Sequence, residues 1–560
     1  MRALTPARPG PARFQRHTPP PRNRLAWLQL AIVLLAGGLH AASMAWPFPV
    51  GAALLGLVPG QPAGWLQLLA LALLAGQLDG ARTWPRGAWL GGLFATALHG
   101  ATFWWLFISM HVYGGLAAPL AVLAVGLLAA LLGLLYAAAC GVFVALAPAG
   151  LAARALFFAA TWLLAELARV QVFTGFPWGE GGYAHVDGWA RPLASWVGVH
   201  GLSFLAALLA AWLAFALLAP KTRWASALAA AALGAALAVV PGQGGDGPEA
   251  DPALARPLAV TLLQGNIPQG EKFELGTGVA TALHWYGEEL DRARGALVVA
   301  PETALPLLPD QLPEGYWPAL RARFAAGGQA ALIGLPLGDH ASGYSNSVLG
   351  LKPAAAAGPD APLAPPVPYR YDKHHLVPFG EVIPPGFRWF IDLMNIPLGD
   401  FRRGAVGQPS FEWQGQRLAP NICYEDLFGE ELGARFVDAA RAPTVFVNVS
   451  NIAWFGNTVA IDQHLQISRM RALEFARPMI RATNTGATVI IDHRGAVTHA
   501  LARHTRGVLT GDVQGRSRIT PYAWWVGRLG LWPLWALGLG AGVLAWLARR
   551  RRPAGAAPRH

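Results

Sequence analysis

Residues 417–426 read RLAPNICYED, an apolar stretch of strand-like composition that ends on Cys423 and continues into two acidic residues. Two more apolar stretches end on one functional side chain in the same way: Glu302 ends LVVAPE, and Lys373 ends YRYDK. In an open α/β layer the strand ends form the crevice where reacting groups collect. The sequence therefore predicts that a thiol, a carboxylate and an ammonium meet at one edge of a sheet.

These three groups form a consistent set for nucleophilic catalysis. Cys423 would be the nucleophile, and it needs a base because a free thiol is mostly protonated near neutral pH. Glu302 could take that proton, and Lys373 could stabilise the oxyanion that forms at an attacked carbonyl. Each residue also fits a structural role, since a lone cysteine on a strand is usually a small buried apolar residue. The only other cysteine, Cys140, lies in an apolar stretch and is expected to pack there.

Around these stretches, residues 258–520 alternate between short apolar runs and amphipathic runs. This alternation favours a layered α/β domain. The predicted strands are 258–264, 296–301, 330–335, 344–350, 368–373, 417–423, 443–449 and 487–492, and the predicted helices are 276–294, 315–327, 429–441 and 461–477. The run 353–367 is rich in Ala and Pro and is expected to be a surface loop.

The rest of the chain is strongly apolar. Of 560 residues 54% are hydrophobic and only 13% are charged, against about 25% charged in soluble domains. Apolar runs of about 20 residues can cross a bilayer as helices. Eight such runs occur, at 25–45, 63–80, 88–109, 118–147, 155–172, 193–218, 224–241 and 525–548. The composition excludes a purely soluble enzyme and a disulfide-stabilised scaffold.

The charge distribution predicts the orientation. Residues 245–520 hold 24 basic and 27 acidic side chains, whereas the remainder holds 19 basic and four acidic ones. A nucleic-acid-binding protein would concentrate its basic residues on the folded domain, so nucleic acid is excluded as a partner. Basic residues beside apolar runs follow the positive-inside rule, and the leader contains six arginines. Both termini are therefore expected in the cytoplasm, with 245–520 on the outer face after seven spans.

The resulting domain prediction has six parts. They are a cytoplasmic basic leader (1–24), a transmembrane domain of about seven helices (25–241), a linker (242–257), an extracytoplasmic catalytic domain (258–520), a C-terminal transmembrane helix (525–548) and a cytoplasmic basic tail (549–560). The segment 46–62 is short and interrupted by prolines, and it fits either a re-entrant piece or the start of the second helix. The apolar segment 387–399 fits either a mobile lid at the bilayer or an ordinary core helix.

Several motifs resemble the nitrilase, or carbon–nitrogen hydrolase, superfamily. They are APETALP (300–306), YDKHHLVPFGE (371–381), NICYED (421–426) and SNIAWFG (450–456). The chain further resembles one membrane-bound member family, apolipoprotein N-acyltransferase, through GFPWGEGGYA (175–184) and the stretch 466–488, which is expected to be helical. The resemblance implies an αββα sandwich inserted between the last two helices of a membrane domain.

The same resemblance implies roles for individual residues. Cys423, Glu302 and Lys373 match the superfamily's Cys-Glu-Lys triad as nucleophile, general base and oxyanion-stabilising ammonium. Glu381 and Glu425 match further acidic positions, which are expected to orient Lys373 and the incoming amine.

Three aromatic residues complete the implied site. Tyr424 could offer its backbone N–H to the oxyanion, Trp178 could contact lipid or acceptor peptide or anchor the interface, and Trp454 is a supporting residue. The chain departs from the family at Ile452, where the pattern has an aspartate.

The implied activity is transfer of a fatty acyl group from a membrane phospholipid, through a Cys423 thioester, to the α-amino group of a diacylglyceryl-modified N-terminal cysteine of apolipoproteins. The implied location is the bacterial inner membrane, with the catalytic domain on the periplasmic face. The chain is expected to act as a monomer with no metal or other cofactor. The alternative is a membrane-tethered amidase or nitrilase with a soluble substrate. Two alternatives from other classes are a transporter with a regulatory domain and a non-catalytic lipoprotein-binding scaffold.

Overall fold

The computed structural model describes residues 22–219, 223–242, 252–254, 256–339, 341, 343–353, 368–391 and 401–551. The predicted leader, linker, 353–367 loop and basic tail lie wholly or largely outside these ranges, as does the second half of the 387–399 segment. Within the described ranges the helices are α1 (Arg22–Met44), α2 (Gly64–Asp79), α3 (Trp84–Phe103), α4 (Ala118–Leu146), α5 (Leu151–Gln171), α6 (Ala194–Leu218), α7 (Arg223–Ala238), α8 (Ala280–Arg292), α9 (Tyr316–Ala326), α10 (Arg388–Ile391), α11 (Gly429–Gly433), α12 (Val459–Phe475), α13 (Pro521–Leu529) and α14 (Trp532–Arg550).

The strands of the same ranges belong to one α/β domain. They are β1 (Leu258–Gln264), β2 (Leu297–Ala300), β3 (Ala330–Asp339), β4 (Gly343–Leu351), β5 (Tyr369–Asp372), β6 (Phe411–Trp413), β7 (Gln416–Ile422), β8 (Val445–Ser450), β9 (Met479–Thr483), β10 (Val489–Ile491), β11 (Val497–Ala500) and β12 (Gly507–Val513). They form two six-stranded sheets, ordered β12-β1-β2-β3-β4-β5 and β11-β10-β9-β8-β7-β6.

The two sheets pack face to face with helices on their outer faces. Leu262 and Val299 of the first sheet share one apolar cluster with Leu418 and Val447 of the second. α8 and α9 cover the outside of the first sheet, and α12 covers the outside of the second. The predicted α/β class is confirmed, and the four-layer αββα arrangement that the resemblance implies is observed. Strands β1–β3 are mutually parallel, as are β7–β9, so their carboxyl ends reach common sheet edges.

Every predicted apolar run corresponds to a helix of the first or last part of the chain. By length and composition, however, only four of the described helices could cross a membrane, or five if one bent pair counts as a single span. The four are Ala26–Met44, Ala118–Leu146, Leu151–Thr174 and Arg191–Leu218. The number of eight spans therefore stays a prediction.

The predicted last span, 525–548, covers parts of two helices, and its extent stays a prediction. α13 and α14 are bent by 82° at a short break, and Gly530 in the break takes a φ of 54°. α13 buries Tyr522 and Val526 and packs against α11 of the α/β domain. Only Trp532–Arg550 remains as the apolar helix that continues from the break. The bend is invisible in hydropathy because the residues on both sides of it are apolar.

Two helix predictions in the α/β domain were wrong. The predicted helix 429–441 is only Gly429–Gly433 with a short helical turn after it. The stretch 466–488 is not helical throughout: α12 ends at Phe475, Ala476 adopts a φ of 47°, and β9 follows at Met479. Pro478 disfavours a helical conformation at the residue before it. Four short strands, β6, β9, β11 and β12, were not predicted.

The helical half and the α/β domain form a continuous core. One apolar cluster runs from the helices, including Phe176, to Tyr424 and Phe428 of the α/β domain. Within this contact, side chains of α12 form a row of polar contacts with the helical half, which we call the polar seam. The indole N–H groups of Trp105 and Trp178 both donate to Oε1 of Gln463, at 3.1 and 2.9 Å.

More polar contacts extend this seam along α12. The Arg469 guanidinium bonds the carboxylate of Asp187, and the carboxylate of Glu474 accepts the backbone N–H of Val199 at 2.7 Å. The α/β domain is thereby fixed in orientation on the helices.

We expect Gln463→Leu to lower the midpoint of thermal unfolding of the detergent-solubilised protein. The substitution keeps a side chain of similar size but leaves two buried indole N–H groups without an acceptor, and each costs about 1–3 kcal/mol. Gln171→Leu is the control, because Gln171 is exposed at the end of α5. Equal midpoints for the two variants would contradict a stabilising role for the polar seam.

Candidate active site

Cys423 stands at a sharp turn directly after β7. It has a φ of 52°, a left-handed conformation that strains a residue with a Cβ. The turn Cys423–Leu427 begins at this residue, and the side chain is half-buried rather than enclosed. The strained turn places Cys423 at the sheet edge, directly after β7.

Glu302 follows β2 and faces the same edge from the other sheet. Its Oε1 accepts a hydrogen bond from Nδ2 of Asn346 at 2.8 Å, and its Oε2 accepts the backbone N–H of Asn451 at 2.7 Å. The next residue, Thr303, has a φ of 47°. The carboxylate is thus held by donors from β4 and from the end of β8, and its rotamer is fixed by both sheets.

Lys373 follows β5, and its ammonium is buried between two carboxylates. Nζ lies 3.2 Å from Oε1 of Glu302 and 2.9 Å from the carboxylate of Glu381. Asn346 ties the two acids together, because its Nδ2 also donates to Oε1 of Glu381 at 2.7 Å. The structure therefore brings Glu381 and Lys373 together, and the role of Glu381 in orienting Lys373 stays a prediction.

The surroundings raise the pKa of two groups of the predicted triad, Cys423 and Lys373, and lower that of the third, Glu302. Burial raises the pKa of the Cys423 thiol to about 12, and the negative charge of Glu302 acts in the same direction. Burial alone would raise the pKa of Glu302, but the Lys373 ammonium and the Asn346 amide hold it below its usual value. Burial would lower the pKa of Lys373, but Glu302 and Glu381 raise it well above its usual value. At neutral pH the site therefore holds a thiol, an ionised carboxylate and a permanent ammonium, so Cys423 needs a base.

Glu425 links the turn at the nucleophile to the loop after Lys373. Its carboxylate accepts the backbone N–H of Ile422 at 2.6 Å, the N–H of His374 at 2.6 Å and the hydroxyl of Tyr371 at 2.8 Å. Burial raises the pKa of this carboxyl group. Glu425 makes no described hydrogen bond to Lys373 itself. It fixes the backbone on both sides of the site, and its predicted role in orienting Lys373 and the incoming amine stays a prediction.

Tyr424 connects the nucleophile turn to the helical half. Its hydroxyl donates to the backbone oxygen of Gly175 at 2.9 Å. Gly175 has a φ of 92°, and a Cβ at this position would lie 2.0 Å from the oxygen of Val170, so only glycine fits. The predicted role of the Tyr424 backbone N–H in oxyanion binding stays a prediction.

The structure places the two predicted tryptophans differently. Trp178 is only 3% exposed and packs against Trp105 with ring centroids 4.9 Å apart. Its predicted contact with lipid or acceptor peptide does not fit this burial, because the indole is enclosed between the two halves. Trp454 is half-buried and contacts Tyr113 of the helical half edge to face, at 5.9 Å.

Three polar residues near the triad were missed at the sequence level. Asn346 bridges the two carboxylates, Asn451 positions Glu302, and Lys272 donates from Nζ to the backbone oxygen of Glu302 at 3.1 Å. The signal for Asn346 was the polar run SNS inside an otherwise apolar strand stretch. Ile452, where the family pattern has an acid, is a buried apolar residue with only 1% of its surface exposed. Among the described residues no group of His, Cys, Asp and Glu is arranged to hold a metal ion.

Comparisons with known proteins cover both halves of the chain. A family model described as the apolipoprotein N-acyltransferase N-terminal domain matches residues 50–212, and one described as carbon-nitrogen hydrolase matches residues 260–522. An apolipoprotein N-acyltransferase of Verminephrobacter eiseniae is 60% identical over 523 residues, which cover 90% of this chain and 94% of that protein. One from Ralstonia nicotianae is 45% identical and covers 88% of this chain and 90% of that protein. The chain belongs to the apolipoprotein N-acyltransferase family.

Membership in this family identifies the chemistry in general terms. The chain is an acyltransferase of lipoprotein maturation within the nitrilase superfamily. The carbon–nitrogen hydrolase match coincides with the αββα domain that brings Cys423, Glu302 and Lys373 together. The predicted domain boundaries themselves stay predictions.

We expect Asn346→Asp to reduce acyl transfer by about 100-fold or more while the protein remains folded. The new side chain cannot donate to both carboxylates and adds a like charge beside them, which raises their pKa values. Initial rates with a diacylglyceryl-modified peptide measure the effect. Asn457→Asp is the control, because Asn457 is exposed in the turn after Trp454. A rate near that of the wild type would show that Asn346 does not organise the two acids.

Proposed function

We propose that the protein transfers an acyl chain from a membrane phospholipid to the α-amino group of a diacylglyceryl-modified cysteine, through a thioester on Cys423. The main observation in support of this proposal is that three functional side chains, contributed by two sheets, lie in one site. Glu302 and Lys373 lie 3.2 Å apart, and the charges of both act on the half-buried thiol of Cys423. The site thus combines a nucleophile, a base that is ionised at neutral pH and a fixed cation.

In the first step the thiol gives its proton to Glu302 while sulfur attacks the ester carbonyl carbon of the phospholipid. The carbonyl π electrons move to oxygen, and the Lys373 ammonium stabilises the oxyanion. Collapse of the tetrahedral intermediate breaks the bond to the glycerol oxygen, which takes the proton from Glu302. The products are the Cys423 thioester and a lysophospholipid.

In the second step the neutral amine of the acceptor attacks the thioester carbonyl. Glu302 accepts the amine proton and returns it to the departing sulfur of Cys423, so an amide forms and the thiol is restored. Because both substrates use one acyl-enzyme, the kinetics are ping-pong. Lys373 keeps its proton throughout, since two carboxylates hold its pKa well above the usual value.

The arrangement of the two halves supports lipid substrates. An apolar cluster joins the loop that carries Glu381 to the helices, with Phe379 and Phe390 packed against Leu116 and Met110. Each buried CH₂ group contributes about 0.8 kcal/mol, so an acyl chain that stays in apolar surroundings avoids a large transfer cost. Phe390 and Ile391, from the described part of the predicted lid, belong to this cluster, and a lid role for 387–399 remains part of the proposal.

The helix ends support one membrane orientation. The side chain of Gln29 contacts both Gln77 and Arg86, and Arg154 pairs with Asp79 at 2.7 Å, so the start of α1 lies with the end of α2 and the starts of α3 and α5. The opposite ends carry the α/β domain. Exposed tryptophans occur near both ends: Trp27, Trp84, Trp224 and Trp546 on one side, and Trp65, Trp104, Trp196 and Trp532 on the other.

Exposed tryptophans near the two ends of apolar helices are typical of membrane–water interfaces. We infer eight spans in the bacterial inner membrane, with the termini cytoplasmic and the catalytic domain periplasmic. Short helices such as α2 and α7 would cross with help from their flanking loops.

A mass measurement tests the thioester. Protein incubated with a dipalmitoyl phospholipid, without acceptor, should gain one palmitoyl group on the peptide that contains Cys423. Cys423→Ala should lose both this adduct and all transfer activity. Cys140→Ala is the matched control, because Cys140 is buried in α4, and it should keep both. An adduct at any other position would refute the mechanism.

A labelling experiment tests the orientation. In the Cys140→Ala, Cys423→Ala background, Glu314→Cys presents an exposed thiol on the catalytic domain, and Arg82→Cys presents one at the opposite helix ends. A maleimide that cannot cross membranes should label the first variant in spheroplasts and the second only after permeabilisation. The reverse pattern would place the catalytic domain in the cytoplasm and remove its access to exported lipoproteins.

The amidase alternative uses the same three residues on a soluble substrate. Close packing of the catalytic turn on the helices, through Tyr424 and Gly175, disfavours it, because a domain that is only tethered would not need this contact. The scaffold alternative predicts that Cys423→Ala retains function, so the mass experiment separates it from the enzyme. The transporter alternative would use ionisable residues inside the helices to line a path for a substrate. The described helices do contain buried ionisable residues such as Glu166 and Arg169. These two residues form hydrogen bonds with the 175–184 loop, so they have a structural role instead.

A further inference from the structure

A second lysine, Lys272, is buried at the active site. Its side chain is only 2% exposed, and Nζ donates to the backbone oxygen of Glu302 at 3.1 Å. This is its one hydrogen-bond partner among the described residues, although an ammonium has three donors. A buried lysine with unused donors next to a catalytic base is unusual, because burial of an ammonium is costly unless nearby negative charge compensates for it.

The backbone around Lys272 is fixed on both sides. Upstream, the side-chain amide of Asn484 bonds both the N–H and the oxygen of Ile267, each at 2.9 Å. Downstream, Gly278 approaches so closely that a Cβ there would lie 2.1 Å from the oxygen of Glu271. The position of Lys272 is therefore determined by contacts that do not depend on its own charge, and the site retains the ammonium despite the cost of burying it.

The charges of the site explain what the ammonium does. Glu302 and Glu381 are two acids against the single ammonium of Lys373. With these three groups alone the pocket carries one net negative charge, and loss of the Cys423 proton would add another. Lys272 balances the first of these charges. It interacts electrostatically with both Glu302 and Cys423.

We propose that Lys272 is a further functional residue of the acyl-transfer site, whose ammonium provides the second positive charge against which Cys423 loses its proton. It acts through charge on the thiol and on Glu302 rather than by contact with the reacting atoms, and is in this sense a positioning residue. The proposal rests on the proposed function, since it concerns activation of the same nucleophile. The two lysines then have different roles. The Lys373 ammonium is held between two carboxylates, and the Lys272 ammonium neutralises the remaining negative charge of the pocket.

The lysine also has a property that a purely structural residue would not need. Burial lowers the pKa of Lys272 to about 8, although Glu302 and Cys423 oppose the shift. Glu302 and Cys423 act on its charge, Glu302 is in turn paired with Lys373, which also pairs with Glu381, and Glu271 and Glu274 are the acids of its own segment. Its charge is present below about pH 8 and is lost above it.

The test uses alkylation of Cys423 by iodoacetamide in the full-length protein, because this reaction reads the thiolate without any substrate. An opposite charge in close proximity shifts a pKa by about one unit or more. Lys272→Met, which keeps the length and packing of the side chain, should therefore slow alkylation at pH 7 about tenfold. Raising the pH by about one unit should restore the rate. Lys272→Arg, which retains the charge, should lose less than Lys272→Met.

Lys352→Met is the matched control. Lys352 belongs to the same domain, and its Nζ also donates to a backbone oxygen, that of Glu412 at 3.3 Å, but far from the triad residues in the fold. In this variant iodoacetamide should alkylate Cys423 at the wild-type rate. An unchanged pH profile in Lys272→Met, with the thermal midpoint lowered, would assign Lys272 a structural role and overturn the proposal.

Acyl-enzyme formation separates this proposal from the proposed function. If the wild type forms no palmitoyl thioester on Cys423, the proposed function fails. If the wild type forms it and Lys272→Met forms it equally fast, only the role of Lys272 fails. A slower formation in Lys272→Met, in proportion to the slower alkylation, supports both.

Discussion

The buried ion cluster around Lys373 is the interaction on which the active site depends. An ammonium cannot stay in the interior without compensating charge, and Glu302 and Glu381 provide it from two different loops. Once these three groups are together, the loop after β5, the end of β2 and strand β4 have a fixed relation to one another. The same cluster holds the pKa of Glu302 below its usual value, as its proposed role as base requires, because burial raises the pKa of the Cys423 thiol.

Glu425 extends this constraint to the nucleophile. Its carboxylate bonds backbone N–H groups at Ile422 and His374, so it holds the strained turn at Cys423 and the loop after Lys373 at one distance. Tyr424, which lies between Cys423 and Glu425 in the chain, reaches the opposite way and donates to Gly175 in the helical half. The catalytic turn is therefore shared between the α/β domain and the helices. This is consistent with substrates whose reactive group must be presented at the membrane surface.

Much of this arrangement was predictable from local sequence. Cys423, Glu302 and Lys373 each follow an apolar strand, and strand ends of parallel sheets converge. The apolar helices were predictable because the hydropathy of a segment follows directly from its amino-acid composition. The α13–α14 bend was missed because it lies inside a stretch whose composition does not change. The end of α12 at Phe475 lies close to the end of the predicted helix 461–477, and only the longer helical assignment 466–488 was wrong. Trp178 was expected to contact lipid or acceptor peptide or to anchor the interface, whereas packing against Trp105 and Gln463 encloses it between the two halves.

The sequence alone therefore determined the chemical groups, the α/β class of the domain that carries them and the apolar nature of the remainder. Those properties depend on residue type and on periodicity along the chain. Only the tertiary structure decided which polar residues support the triad. Asn346, Asn451 and Lys272 come from segments far apart in the chain, and they converge on Glu302 because two sheets pack face to face. Such convergence depends on the relative placement of strands, which local sequence does not encode.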